Sequence, residues 1–191
     1  MHLHHPGFPL LLASDASLAD LNERLEARQQ KAVPMNRFRP NLVVGDGGGG
    51  GAPRPWAEDG WARVVVGGAA AFGVVKPCSR CKMPTINQAT GVPDKLESAR
   101  PVVKGSADDD DEGGGPASAA EPTATLRTFR TGAALGYRKP GWKGDVFFGQ
   151  NLVPAATAAG RRLAVGDAVV ATPRRPRGWY SRGVRGVHYY P

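Results

Sequence analysis

Glycine and proline break this sequence so often that only short elements fit between the breaks: 26 Gly and 17 Pro occur in 191 residues. Breakers at that density favour short strands and a few helices over long helical layers. Phe8 to Ala13 (FPLLLA) predicts a short buried strand. After it, Ser14 or Ser17 can cap an amphipathic helix over LADLNERLEARQQ, in which Leu18, Leu21 and Leu25 share one face. LVV, ARVVV and FGVV then read as strands separated by glycines and prolines, a β-rich centre. EPTATLRTFRTGAAL predicts a helix starting near Pro122, and DVFFGQNLVPA and GRRLAVGDAVVAT predict two strands with turns near Gly160 and at Gly166 and Asp167. The expected fold class is mainly β, with α+β character from the helices. A chain of this length holds one real core and is short for two. The expected layout is an entering strand and helix over 1–32, one domain over 33–172 and a tail over 173–191.

Three segments lack apolar periodicity. Gly47 to Gly51 gives a connection rather than a phosphate loop, because Ala52 and Pro53 stand where a Walker loop needs lysine and a hydroxyl residue. The insertion at about 103–120 carries Asp108 to Asp111 and Glu112 beside glycines, a run that repels itself and is expected to be disordered. Its adjacent carboxylates do not have the alternate spacing of a calcium loop. The basic tail interleaves Arg174, Arg175, Arg177, Arg182 and Arg185 with Trp179, Tyr180, Tyr189 and Tyr190. Such a mixture can pair phosphates and stack bases, but its Gly and Pro content favours a solvated, disordered end, so no nucleic-acid partner is expected. No apolar run approaches the roughly 20 residues of a membrane span, and the start lacks the basic region of a targeting peptide.

The chemistry concentrates in VVKPCSRCKMPTINQATG, which holds both cysteines, Cys78 and Cys81. Structural zinc takes four ligands, and no second knuckle with suitable spacing accompanies this pair: His2, His4 and His5 cluster at the N-terminus and His188 lies in the tail. A redox pair wants its first cysteine at a helix N-terminus, and Pro84 argues against a long helix there. Two buried structural thiols are the plain alternative. Ser79, Arg80 and Lys82, however, set a hydroxyl and two cations against the thiols, and cations both favour a thiolate and bind anions. A metal carried on a phosphorylated organic cofactor needs that combination.

FRPNLVV, PCSRCKMPTINQATG, EPTATLRTFR and FFGQNLV, in that order, resemble the MOSC domain of the mitochondrial amidoxime-reducing component and of the C-terminus of molybdenum cofactor sulfurases. The resemblance covers roughly residues 8–172, and CKMPTINQATG is most similar to plant-like forms of the amidoxime-reducing component. It implies a β-barrel with peripheral helices and a molybdenum cofactor (Mo-molybdopterin) lying across it. It further implies that Cys81 ligates molybdenum and is the catalytic ligand, that Arg39, Asn41, Ser79 and Arg80 bind the cofactor, and that Cys78 is a packed neighbour. The chemistry agrees: thiolate is a soft donor suited to a metal already held by dithiolene sulfurs, and guanidinium forks match phosphate and pterin oxygens. Asn87 stands where many relatives carry aspartate, and Asn151 follows FGQ where some carry tyrosine.

The activity so implied is an oxidoreductase that removes oxygen from small N-hydroxylated substrates, with cytochrome b5 and its NADH-dependent reductase as electron carriers and a mitochondrial location. Members of that type carry a further N-terminal β domain that supplies part of the cofactor site, so turnover is expected from a chain that includes one. The alternatives are a non-catalytic carrier of the cofactor, as in the sulfurase C-terminus, or a truncated inactive copy. Pyridoxal phosphate, which a sulfurase proper uses on a separate domain, is not expected here.

Overall fold

The computed structural model of the protein describes residues 8–46, 53–93 and 120–174. The pentaglycine, the four histidines, the insertion at 103–120 apart from Ala120, and the tail from Arg175 onward lie outside the described residues.

Six strands make one sheet in the order β2-β1-β5-β4-β3-β6, with β2 and β6 at its edges among the described residues. They are β1 (Leu10–Ser14), β2 (Leu42–Val44), β3 (Trp61–Val66), β4 (Ala70–Ser79), β5 (Phe147–Pro154) and β6 (Val169–Pro173). The fold is mainly β, as the resemblance implied. β1 and β2 pair in parallel with Leu12 opposite Leu42, and such a pair needs a crossover, here the helix α1 (Asp15–Ala27). β1 with β5, β3 with β4 and β3 with β6 are antiparallel. The β3–β4 hairpin turns at Gly67 and Gly68, whose φ angles of 57° and 71° belong to the left-handed region that such tight turns require.

The chain divides into two compact units. The first comprises 1–17, 41–77 and 149–191, as far as these are described, and contains nearly all of the sheet. Its core is Leu12, Val64, Val66, Ala70, Phe72, Val74 and Leu152, the apolar face of alternating strands. Glu58 is fully buried and shares the one Ser17 Oγ proton between its two carboxylate oxygens, at 2.7 and 2.9 Å, while Ser17 Oγ in turn accepts from Trp56 N–H at 2.7 Å. Gly149 in β5 has φ of 75°, and a β-carbon there would lie 2.6 Å from the Leu12 carbonyl oxygen of the neighbouring strand. Gly149→Ala should therefore lower unfolding stability by about 1–3 kcal/mol from the backbone conformation alone, with the backbone clash adding to it. A urea midpoint within error of the wild type would contradict this.

The second unit comprises 18–40 and 78–148. Leu21 and Leu25 of α1 are buried in it, together with Val33, Phe38, Leu126, Val146, Phe147 and Phe148. Helix α1 ends where Gln29 takes a φ of 59° and Gln30 N–H reaches back to the Leu25 carbonyl at 2.9 Å, a left-handed cap. Asn22 then clamps the departing chain by exchanging two hydrogen bonds with the Val33 backbone, at 2.9 and 3.1 Å.

Four sequence expectations change in detail. Of the two serines that could cap the helix after β1, Ser14 directly precedes its start at Asp15 but its hydroxyl has no hydrogen-bond partner in the protein, and Ser17 lies inside the helix with its hydroxyl on Glu58 and Trp56. The helix expected from Pro122 is the short α2 (Thr123–Arg127). Beyond it the Arg130 carbonyl accepts from Phe147 N–H, and Gly132 lies so close to the Trp142 carbonyl that no side chain fits. Of GRRLAVGDAVVAT only Val169 onward is strand; the preceding residues turn at Val165 and Gly166, with Asp167 Oδ2 accepting from Ala164 N–H at 2.9 Å. At the expected start of the tail, Pro173 ends β6 and Arg174 donates to the carbonyls of Trp61 and Val74, both at 2.9 Å.

Candidate functional site

β4 ends on Cys78 and Ser79, and the chain leaves the sheet through Arg80, Cys81 and Lys82 into a 3-10 turn at Met83–Thr85. Pro84 sits in the first positions of that turn, where its missing N–H costs nothing, and Thr85 Oγ1 donates to the Lys82 carbonyl at 2.7 Å. The loop is thereby closed on itself within a few residues, and Cys81 stands exposed upon it.

Arg80 is the anchor. Its backbone N–H donates to the Val146 carbonyl at 2.7 Å, just before β5 begins. Its Nη2 donates to the Phe38 carbonyl at 2.8 Å, and its Nη1 approaches Cys78 Sγ at 3.3 Å. The guanidinium also lies 5.6 Å from the centre of the Phe38 ring, which stacks on Phe148 with centroids 3.8 Å apart. Arg80 Nε is buried and has no hydrogen-bond partner in the protein. A buried donor left unmade costs free energy, so this atom marks a place for an acceptor from outside the chain.

A second 3-10 turn, Met35–Phe38, lies against Met83–Thr85, held by the buried Arg37, whose Nη1 donates to the Pro84 carbonyl at 3.3 Å. Arg39 follows in the left-handed region, φ 54°, with its side chain exposed. For a residue other than glycine that conformation costs roughly 1–2 kcal/mol. Strain of this kind is often kept where a side chain must be presented to a ligand.

The structure therefore gathers Arg39, Ser79, Arg80 and Cys81 on adjoining turns of one unit. Asn41 falls in the other unit, where its Oδ1 accepts from Leu11 N–H at 2.8 Å and its own N–H donates to the Leu11 carbonyl at 2.8 Å. Cys78 is half-buried and serves as the acceptor of an Arg80 N–H, a more specific role than that of a packed thiol. Arg37 was not legible as a site residue; the signal was that NRFRP carries another arginine two residues before Arg39.

These residues fit the cofactor that the resemblance implies. One accessible thiol, free of any disulfide, stands beside cationic donors with unused N–H groups. Among the described residues no three His, Cys, Asp or Glu side chains converge. A separate shallow cleft in the same unit is lined by Ala133, Gly136, Tyr137, Arg138 and Lys143, none of them from the cysteine loop.

Comparison with known proteins gives the family. The chain is similar to molybdenum cofactor sulfurase of Oryza sativa subsp. japonica, 31% identical over 172 residues that make up 84% of this chain and 16% of that protein. It is 39% identical over 89 residues to mitochondrial amidoxime-reducing component 1 of Mus musculus, and equally to that of Homo sapiens, covering 47% of this chain and 23% of each. The chain thus spans less than a quarter of the length of these relatives. The family model described as the MOSC domain matches residues 1–170, and on that match the chain belongs to the MOSC domain family.

Proposed function

We propose that this chain binds the molybdenum cofactor through its second unit and acts in the reduction of N-hydroxylated compounds. The observation that carries the reading is the pairing of the exposed Cys81 with an Arg80 side chain that is anchored at two atoms and still has a buried, unpartnered Nε. In this reading Cys81 is the one protein ligand to the metal. Arg80 and Arg39 hold the anionic part of the cofactor, and Ser79 adds a hydroxyl. When bound, the cofactor supplies a metal that can accept an oxygen atom and be reduced again by one-electron steps.

What this chain's own residues do is positional. Arg80 is fixed by the Phe38 carbonyl and Cys78, so its free N–H groups keep one direction without an ordering cost at the moment of binding. The turn at Met83–Thr85 keeps Cys81 at the surface, where a substrate oxygen can approach. The names of the amidoxime-reducing relatives support mitochondria as the compartment, and the resemblance supports cytochrome b5 and an NADH-dependent reductase as electron carriers.

Arg39→Ala and Arg80→Ala should each lower cofactor retention by about tenfold or more, since loss of a charge-assisted contact is worth roughly 1.5–3 kcal/mol. Equilibrium dialysis against pterin cofactor measures this, with thermal unfolding of the cofactor-free protein as the control. Arg39→Ala should leave unfolding unchanged, because its side chain is exposed. Unaltered retention in both variants would remove the assignment.

A non-catalytic carrier of the cofactor is the second reading. It is favoured by the alignment with the sulfurase, which covers 84% of the chain against 47% for the amidoxime-reducing component. Cofactor binding without oxygen removal from an N-hydroxyamidine, with both electron carriers supplied, would select it.

A further inference from the structure

The segment from Tyr137 to Lys143 (YRKPGWK) takes no part in the proposed cofactor site, yet among the described residues of the second unit it is a strongly cationic exposed loop. Arg138, Lys139 and Lys143 are all exposed, and among the described residues none of them is paired with a carboxylate. Asp145 is the only acidic residue from Ala120 to Asp145 besides Glu121, and Glu121 faces Arg28 at 3.8 Å. Arg127 adds a further cation beside the loop, donating to the Gly144 carbonyl at 3.4 Å.

The loop is also rigid at its base. Tyr137 packs edge-on to Trp142, with centroids 5.4 Å apart, and against Phe147 at 5.5 Å. Tyr137 N–H donates to the Gly132 carbonyl at 2.7 Å and Ala133 N–H to the Lys143 carbonyl at 3.0 Å, so the two ends of the loop are tied to the same neighbouring segment. Arg138 and Lys143 rim the shallow cleft whose wall is Tyr137. Aromatic residues held firmly at the centre with unpaired charges around them are the composition of a protein interface, where the rim charges steer an oppositely charged partner.

Cationic loops also bind nucleic acid, but this one lacks a stacking platform. Lys139 Nζ covers the Trp142 ring at 5.2 Å, and the rings of Tyr137 and Trp142 are turned on one another. Bases need open aromatic faces. A small multivalent anion needs converging donors, and here the cations are spread along an open surface.

We propose that the Tyr137–Lys143 loop is a docking surface for a protein partner rich in exposed carboxylates. The proposal does not depend on the cofactor, and its test does not use it. Poly-L-glutamate is titrated against the whole chain at low and at physiological ionic strength. Binding should weaken as salt rises. Replacing Arg138, Lys139 and Lys143 together by Gln should weaken it at least about tenfold. Replacing Arg175, Arg177, Arg182 and Arg185 by Gln should leave most of the affinity in place. Acetylation needs no variant: poly-L-glutamate should protect Lys139 and Lys143 in the unaltered protein. The proposal is overturned if the loop variant binds as the wild type does, if the loss follows the tail variant instead, or if neither lysine is protected. Tighter loop-dependent binding of oligothymidylate or of phosphatidylserine vesicles would equally overturn it, in favour of nucleic acid or a membrane.

Discussion

Cys81→Ser should abolish molybdenum binding, lowering metal content and any N-hydroxyamidine reduction by more than about 100-fold, while Cys78→Ser should keep at least about a fifth of both. Changes outside the ligand shell already cost 10–100-fold in metal affinity, so removing the single protein thiolate from a soft metal must cost more. A serine at 78 behaves differently. Its hydroxyl still accepts from Arg80 Nη1 at hydrogen-bond distance, and the change trades one modest contact for another, about 1 kcal/mol or a factor near five. The discriminating readout is molybdenum per polypeptide in the purified variants, which is independent of turnover. Equal loss in both would make the cysteines one paired unit, and full metal content in Cys81→Ser would remove the ligand assignment.

Phe38→Ala should be the most damaging change to the fold of the second unit, at about 3–5 kcal/mol. The ring is fully buried, stacks on Phe148 with planes 18° apart, and lies beside the Arg80 guanidinium. Truncation loses the burial, leaves a cavity and removes an aromatic pair worth roughly a further 1 kcal/mol. It also loosens the residue whose carbonyl holds Arg80 Nη2, so cofactor retention should fall with stability. Chemical denaturation measures the first effect, and a shift below about 1 kcal/mol would show that the turn at Met35–Phe38 is not part of the core.

The strands were legible where an apolar run met a glycine or proline at each end. LVV, ARVVV and FGVV all lie within β2, β3 and β4. GRRLAVGDAVVAT failed over its first half because Asp167 closes a turn on Ala164, a local side-chain bond that outweighs the apolar content of LAV. The choice between Ser14 and Ser17 at the start of α1 was open for a different reason. Ser17 has the chemistry of a cap, but its hydroxyl goes to Glu58, 41 residues away, and no local pattern announces that contact. In the site, the cysteine loop could be singled out from thiols set among cations, while the choice of Cys81 over Cys78 and the role of Arg80 rest on the family resemblance. That the Phe38 carbonyl and Cys78 would orient the guanidinium was not legible, since both depend on how two 3-10 turns pack. Asn41 shows the same limit: an amide suited to a pterin edge also suits a strand N–H, and Leu11 takes its carbonyl oxygen.

The central claim is that the turn carrying Cys81 and Arg80 holds a pterin-bound molybdenum. The most direct measurement is molybdenum by mass spectrometry together with oxidised pterin by fluorescence, both per polypeptide, on the protein purified from cells that make the cofactor. The account predicts the two in equal amounts, with both falling in Arg80→Ala and the metal lost in Cys81→Ser. Protein that carries neither under those conditions, or metal content unchanged by both substitutions, would contradict it.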